Sequence, residues 1–190
     1  MYSPLVDQAI AFALRAHAGQ ERKGQPGVPY AVHPLHVGFL LSRHGFEPHV
    51  VAAGVLHDVV EDSGASFADL ARDFGEATAA IVAEVSEEKA KSWEQRKQHT
   101  IDAIATMSRG AHAVTAADKV HNLADLSQLL RAGGPEIWKL FRRGRDPTLD
   151  YYARVQAELA VHFRHALTDE IAARLVEVRS ATGPDESASG

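Results

Sequence analysis

The chain has 190 residues, 45% of them hydrophobic, which is the size and composition of one globular domain with a sizeable core. It contains no cysteine, which excludes disulfides, thiolate metal sites and a cysteine nucleophile and leaves imidazole, carboxylate and hydroxyl groups for any chemistry. A net charge of −5 argues against a general nucleic-acid binder. No apolar run is long enough to span a bilayer and Met1-Tyr2-Ser3-Pro4 does not open a secretory leader, so a cytoplasmic protein is expected.

Val6, Ala9, Ile10, Ala13 and Leu14 recur at the spacing of an amphipathic helix, and Gly19 is placed to end it. His17 near its C-terminus reads as a dipole-stabilised imidazole or as a wall of a site. The glycines and prolines of residues 20–30 then demand a shaped loop, which presents Arg22 and Lys23 together. Such a pair serves either as solvated surface or as a phosphate clamp, arginine through its fork and lysine as a point charge. Pro34 suits the first position of a helix running through Val37, Leu40 and Leu41 toward Gly45. That spacing puts His33 at the helix entrance, well placed to be a ligand, a position that His36, His44 and His49 do not share.

Glu47-Pro48 restarts the chain as a central helix expected to end near Ser63-Gly64. Up to Val60 it reads as buried, yet it carries His57 and Asp58, then Glu61 and Asp62. His57 with Glu61, and Asp58 with Asp62, stand four apart and stack on adjoining faces. An ionised carboxylate in an apolar setting is costly unless paired, and a bound cation satisfies an imidazole and several carboxylates together. Helical side chains lean over the preceding turn, so His57 and Asp58 project over Ala53 and Gly54, where small residues leave room for a metal or substrate. The competing reading is a helix end whose carboxylates emerge into water.

Ser66 to Asp69 looks like a helix start with Leu70 and Phe74 on its buried side, and a helix through Ala79, Ile81, Val82 and Val85 follows Gly75. Ser86 to Lys91 reads as a solvated connection, and Ser92-Trp93-Glu94-Gln95 as a capping box opening a helix to about Met107, with Arg96 either reaching a substrate or in a surface ion pair. Residues 114–126, read as a helix, put Asp118, Asn122 and Asp125 along one face. Asp118 is a candidate fourth ligand, or the partner of Lys119 or Arg109 in a salt bridge. After breaks at Gly133-Gly134-Pro135 and Gly144-Arg145-Asp146-Pro147, the second offering Asp146 as N-cap, comes a long helix with Tyr151, Tyr152, Val155, Leu159 and Phe163. Its tyrosines either wall a pocket or pack in the core. Thr168 opens a last helix carrying Ile171, Leu175 and Val178. With no repeat, strand pattern or glycine-rich dinucleotide fingerprint, the expectation is an all-α domain over residues 1–180 and a disordered tail at 181–190.

Five stretches, in this order, resemble the HD-domain metal-dependent phosphohydrolases, and more narrowly the alarmone hydrolase branch of the RelA/SpoT group: Ala16-His17-Ala18-Gly19-Gln20-Glu21-Arg22-Lys23, Pro29-Tyr30-Ala31-Val32-His33-Pro34, His57-Asp58-Val59-Val60-Glu61-Asp62, Phe74-Gly75, and Ala117-Asp118-Lys119-Val120-His121-Asn122-Leu123. The resemblance implies an HD-domain helical bundle in which His33, His57, Asp58 and Asp118 hold one Mn²⁺. It implies that Glu61 and Asp62 position and activate the attacking water, that Arg22 and Lys23 contact phosphates, and that Asn122 and Tyr151 hold the nucleotide. The implied reaction removes pyrophosphate from the 3′ position of the guanine-nucleotide alarmone (p)ppGpp, leaving GDP or GTP. The chain departs from the pattern at Ser63, where a threonine is common, at Ala124, where an arginine is frequent, and in the length of the loop from Gly24 to Val28. It resembles the hydrolase-only members, without a synthetase domain. A related phosphohydrolase acting on NADPH or a deoxynucleotide, and an alarmone-binding regulator, are the alternatives; oligomeric state is left open.

Overall fold

The computed structural model describes residues 3–181, so the tail expected at 181–190 lies, from residue 182 on, outside the described residues. The helices are α1 (Pro4–Ala16), α2 (Val32–Arg43), α3 (Pro48–Leu56), α4 (Val59–Asp62), α5 (Phe67–Phe74), α6 (Glu76–Val85), α7 (Trp93–Ala103), α8 (Arg109–Gly133), α9 (Arg145–His162) and α10 (Ala166–Ala181), with a 3-10 turn over Gly134–Leu140. Among the described residues the only extended pairing is an isolated bridge between Glu21 and Pro29, which pins the loop before α2. The all-α expectation is met.

α3 is the centre of the bundle because nothing in Val50–Leu56 is polar, and every one of those side chains is buried. α1, α2, α6 and α8 surround it. The α2–α3 crossing is unusually close, since two glycines face it. A Cβ at Gly38 would stand 2.4 Å from Val55 Cγ2, and one at Gly54 would stand 2.3 Å from Leu41 Cδ1. The space next to Gly54, expected to receive a metal or substrate, is therefore filled by Leu41 and Val37 of α2. The long α8 runs beneath α2 and α3, and α10 covers its other side.

Several boundaries differ from the sequence reading. The central helix does not run unbroken to Ser63: α3 stops at Leu56, and His57 and Asp58 form a turn before the short α4. The cause is local. The Gly54 carbonyl, an acceptor the helix would otherwise use, takes the N–H of His57 Nδ1 at 2.8 Å, and Asp58 settles at φ −96°, ψ −8°, the sparsely populated bridge region common at active sites. α2 begins at Val32, which moves His33 and Pro34 into its first turn. α9 begins at Arg145 after Gly144, so Asp146 is not the N-cap. Both serine-capped starts are as read, with reciprocal bonds between Ser66 and Asp69 and between Ser92 and Gln95.

Candidate active site

Three separate stretches bring four side chains to one point. His33 comes from the first turn of α2, His57 and Asp58 from the turn between α3 and α4, and Asp118 from the middle of α8. His33 Nε2 lies 3.7 Å from Asp58 Oδ2 and 3.2 Å from Asp118 Oδ1; His57 Nε2 lies 3.2 Å from Asp58 Oδ2 and 3.9 Å from Asp118 Oδ1. Neighbouring donors held at about 2.1 Å from one cation stand about 3.0 to 3.4 Å apart, so these four separations are close to those of a metal's coordination shell. His33, His57 and Asp58 form a group able to hold a metal, and with Asp118 the donor set is mixed nitrogen and oxygen, suited to a first-row divalent cation.

Each of the four has a partner behind it, the arrangement that orients metal ligands. His57 Nδ1 donates to Gly54 O, which turns its Nε2 toward Asp58 and Asp118. His33 Nδ1 lies 2.9 Å from Nδ1 of His121. Asp58 accepts a short bond from the Tyr30 hydroxyl. Asp118 accepts from Asn122 Nδ2 on Oδ1 and from Lys119 Nζ on Oδ2, each at 2.5 Å. Burial would raise the Asp118 pKa, but the Lys119 ammonium and then His33 hold it well below the usual carboxylate range. Asp58, also raised by burial, is held down by His57 and His33. Both carboxylates are thus anionic and ready for a cation.

A cavity of about 380 Å³ opens over this cluster. α4 lines it with Glu61 and Asp62. Glu61 accepts the Glu87 amide at 2.7 Å and is pushed up to about 7, chiefly by burial, with Asp58, Glu87 and Asp62 adding to the rise and the Glu87 amide opposing it. A carboxylate poised near neutrality beside a polar cluster is suited to take up a proton. The far wall is cationic: Lys89, which bonds Asp62 at 2.5 Å, then Arg96, Lys97 and Lys119. Glu87 anchors Arg96 at 2.8 Å and Lys97 at 2.7 Å. Tyr151 is buried against this wall, with Lys97 Nζ 4.9 Å and Lys119 Nζ 5.6 Å from its ring centroid, and its hydroxyl makes no hydrogen bond among the described residues. Asn122 and Tyr152 complete the rim.

Most of the sequence-derived site residues therefore share one cavity: His33, His57, Asp58, Glu61, Asp62, Asp118, Asn122 and Tyr151 all line it. Arg22 and Lys23 do not. The Arg22 guanidinium is engaged by Asp125, at 3.0 Å through Nε and 2.5 Å through Nη2, and touches Asn122 Oδ1 at 3.4 Å. Lys23 Nζ sits 4.7 Å from the ring centroid of Phe141, behind the wall. His17, buried, bonds Gln20, whose amide reaches the Asp62 carbonyl, so it props α4 from below. The sequence reading missed Glu87, Lys89 and Lys97, which fall in or beside the run taken as a solvated connection. It quoted Tyr30 and His121 without giving them work, whereas Lys119, read as a possible salt-bridge partner of Asp118, makes that ion pair. A second, larger cleft, about 580 Å³ around His44, His49 and His165, brings no metal-ligand set together among the described residues.

A family model described as the HD domain matches residues 9–148, a span that contains all four converging ligands and both α4 carboxylates. The chain belongs to the HD-domain family. HD domains are metal-dependent hydrolases, and the divalent metal the family implies matches the donor set found here. Among HD-domain relatives, the chain is 34% identical over 137 residues to guanosine-3′,5′-bis(diphosphate) 3′-pyrophosphohydrolase MESH1 of Danio rerio, covering 71% of this chain and 74% of that protein. The human protein of the same name is also 34% identical, with the same shares covered. A GTP pyrophosphokinase of Streptomyces coelicolor is 32% identical across 83% of this chain, which spans only 18% of that longer protein. Of solved structures, a metazoan SpoT orthologue described as hydrolysing ppGpp superposes with a TM-score of 0.78 at 27% identity, covering 96% of this HD-domain chain and 98% of its own. The Listeria monocytogenes EGD-e protein lmo0812 superposes at 0.71 with 36% identity, over 75% and 96% of the two chains.

Proposed function

We propose that this chain hydrolyses (p)ppGpp at the 3′ position, giving GDP or GTP and pyrophosphate, with one Mn²⁺ held by His33, His57, Asp58 and Asp118. The observation that carries the reading is the convergence of two imidazoles and two anionic carboxylates beside Glu61, under a wall of lysine and arginine. The similarity to proteins named as 3′-pyrophosphohydrolases supports the choice of substrate.

A bound divalent cation supplies Lewis acidity toward a phosphoryl oxygen and makes water more acidic. The protein's own groups do the rest. Glu61, assisted by Asp62, orients the attacking water and takes its proton as the water oxygen bonds to the 3′-linked phosphorus; the bond from phosphorus to the ribose 3′ oxygen breaks, that oxygen takes a proton from solvent to become a hydroxyl, and Glu61 releases its own to solvent. Lys97, Arg96 and Lys119 offset the charge on the pyrophosphate, the electrostatic requirement of phosphoryl transfer. Asn122 and Tyr151 hold the nucleotide. Arg22 and Lys23 serve from behind, Arg22 by fixing Asn122 and Lys23 by bracing Phe141, rather than by touching phosphate. The site is a cavity and not a basic surface, which fits a small-molecule substrate and no nucleic acid. No helix among the described residues is long and apolar enough to cross a membrane, and we place the protein in the cytoplasm.

The test is anion-exchange chromatography of purified protein with ppGpp and Mn²⁺, beside an EDTA control and an NADPH sample. GDP and pyrophosphate formed only with metal is the expected result. Phosphate released from NADPH with ppGpp intact would keep the chemistry and change the substrate; tight ppGpp binding without turnover would make the chain a regulator.

A further inference from the structure

We infer that His121 is a positioning residue for the metal centre, setting which nitrogen of His33 is free to ligate. The inference rests on the proposal that His33 is a ligand. His33 is 2% exposed and His121 7%, and their Nδ1 atoms stand 2.9 Å apart, close enough that one and only one of them carries a proton. There are two ways to place it. If His121 Nδ1 is the donor, neutral His33 carries its own proton on Nε2 and gives it to Asp118 Oδ1, 3.2 Å away; that arrangement pairs both nitrogens of His33 without a metal. If His33 Nδ1 is the donor, His33 Nε2 presents a lone pair to the cluster, and His121 carries its proton on Nε2.

Only the second arrangement can ligate. His57 has no such choice, because its Nδ1 faces a carbonyl that can only accept. The His33–His121 pair is therefore the part of the site with two states, and filling it shifts the pair from one to the other. The protons balance: Nε2 of His33 releases one to solvent as a cation takes its place, Nδ1 of His33 receives the one that His121 Nδ1 held, and Nε2 of His121 takes one from solvent. His36, whose ring lies 4.6 Å from that of His121 and whose side chain is exposed, stands where this last proton can arrive from solvent.

The experiment is two-bond ¹H–¹⁵N correlation of the imidazoles in the full chain, metal-free and loaded with Mg²⁺ as the diamagnetic probe, together with Mn²⁺ titration calorimetry of variants. The loaded wild type is expected to show His33 protonated at Nδ1 and His121 at Nε2. His121→Leu, which cannot accept, is expected to weaken Mn²⁺ binding about 10- to 100-fold, the usual effect of losing a ligand's outer partner. His121→Asn, whose amide oxygen stands near the place of Nδ1, is expected to restore most of the affinity. His33→Ala is run alongside. If His33→Ala binds Mn²⁺ like wild type, the ligand assignment fails. If His33→Ala loses the metal while His121→Leu keeps it, or the loaded protein shows His33 protonated at Nε2, the inference about His121 is overturned although the ligand assignment stands. The wild-type spectra decide the matter even where His121→Leu does not fold.

Discussion

Gly54 of α3 packs directly against Leu41 of α2, with no room between them for a methyl group. Leu41 is fully buried and Val37 Cγ1 would lie 3.3 Å from the same Cβ, so the crowding has no easy outlet. Alanine at this helical position gains about 0.8 to 1 kcal/mol of intrinsic helix preference, against an overpacking cost of about 1–3 kcal/mol. Gly54→Ala is expected to lose about 1 kcal/mol in urea unfolding. Since the Gly54 carbonyl also holds His57, the same change should weaken metal binding. Unchanged stability would mean that α2 yields at Leu41.

Ligands and proton acceptor should separate cleanly. Asp58→Ala is expected to abolish Mn²⁺ binding and turnover together. Glu61→Gln keeps all four proposed ligands and is expected to bind Mn²⁺ normally while slowing turnover about 10²- to 10⁴-fold, the range for loss of a general base. Calorimetry and steady-state rates on the same samples distinguish the two, and full activity in either variant would count against the mechanism.

The raised pKa of Glu61 has a thermodynamic signature in the metal-free protein. Between its ordinary value of 4.5 and about 7, the folded chain retains a proton that the unfolded chain has released, so this group's contribution to stability falls as pH rises across that window and is level above it. Glu61→Gln removes the dependence. In EDTA, the variant should gain stability relative to wild type on going from pH 5 to pH 8; a constant difference would refute the assignment.

Arg22 and Asp125 test whether the basic loop binds phosphate or builds the protein. Their side chains are 12% and 19% exposed. Arg22→Met strands the Asp125 carboxylate and is expected to cost about 3 kcal/mol, the lower end for breaking a buried pair. Replacing both, as Arg22→Met with Asp125→Leu, should recover most of that loss. A raised KM with unchanged melting temperature in the single variant would instead put Arg22 on the substrate.

Lys97 lines the cavity between Glu87 and the Tyr151 ring, where the proposed mechanism sets it against the transferred pyrophosphoryl group. Lys97→Met is expected to lower kcat/KM for ppGpp about 10²-fold, the scale of a lost charge-stabilising donor, with Mn²⁺ affinity unchanged. Loss of metal binding in this variant would show that the wall and the metal cluster are not independent.

What the sequence revealed follows from what leaves a periodic trace. α3 and α8 declare themselves through apolar spacing, and Ser66 and Ser92 through their caps, because these are local features. His57 and Asp58 stood out as polar residues in an apolar run. The turn that separates them from α4 did not, since it depends on one imidazole reaching back to one carbonyl, which no pattern encodes. Ser86 to Lys91 looked like solvated charge because its meaning is entirely tertiary: Glu87 acquires its role only when α4 brings Glu61 to its amide and α7 brings Arg96 and Lys97 to its carboxylate. The Arg22 ion pair left no trace for the same reason, its partner Asp125 being far along the chain.

The four proposed metal ligands span the sequence from residue 33 to residue 118. A ribosome-bound chain that has not yet released the middle of α8 cannot assemble the set, whatever its N-terminal half has folded into. Loading would thus wait until Asp118 has left the ribosome, and a cation held by the proposed ligands would close a loop that embraces most of the core, restricting the denatured ensemble much as a covalent cross-link does.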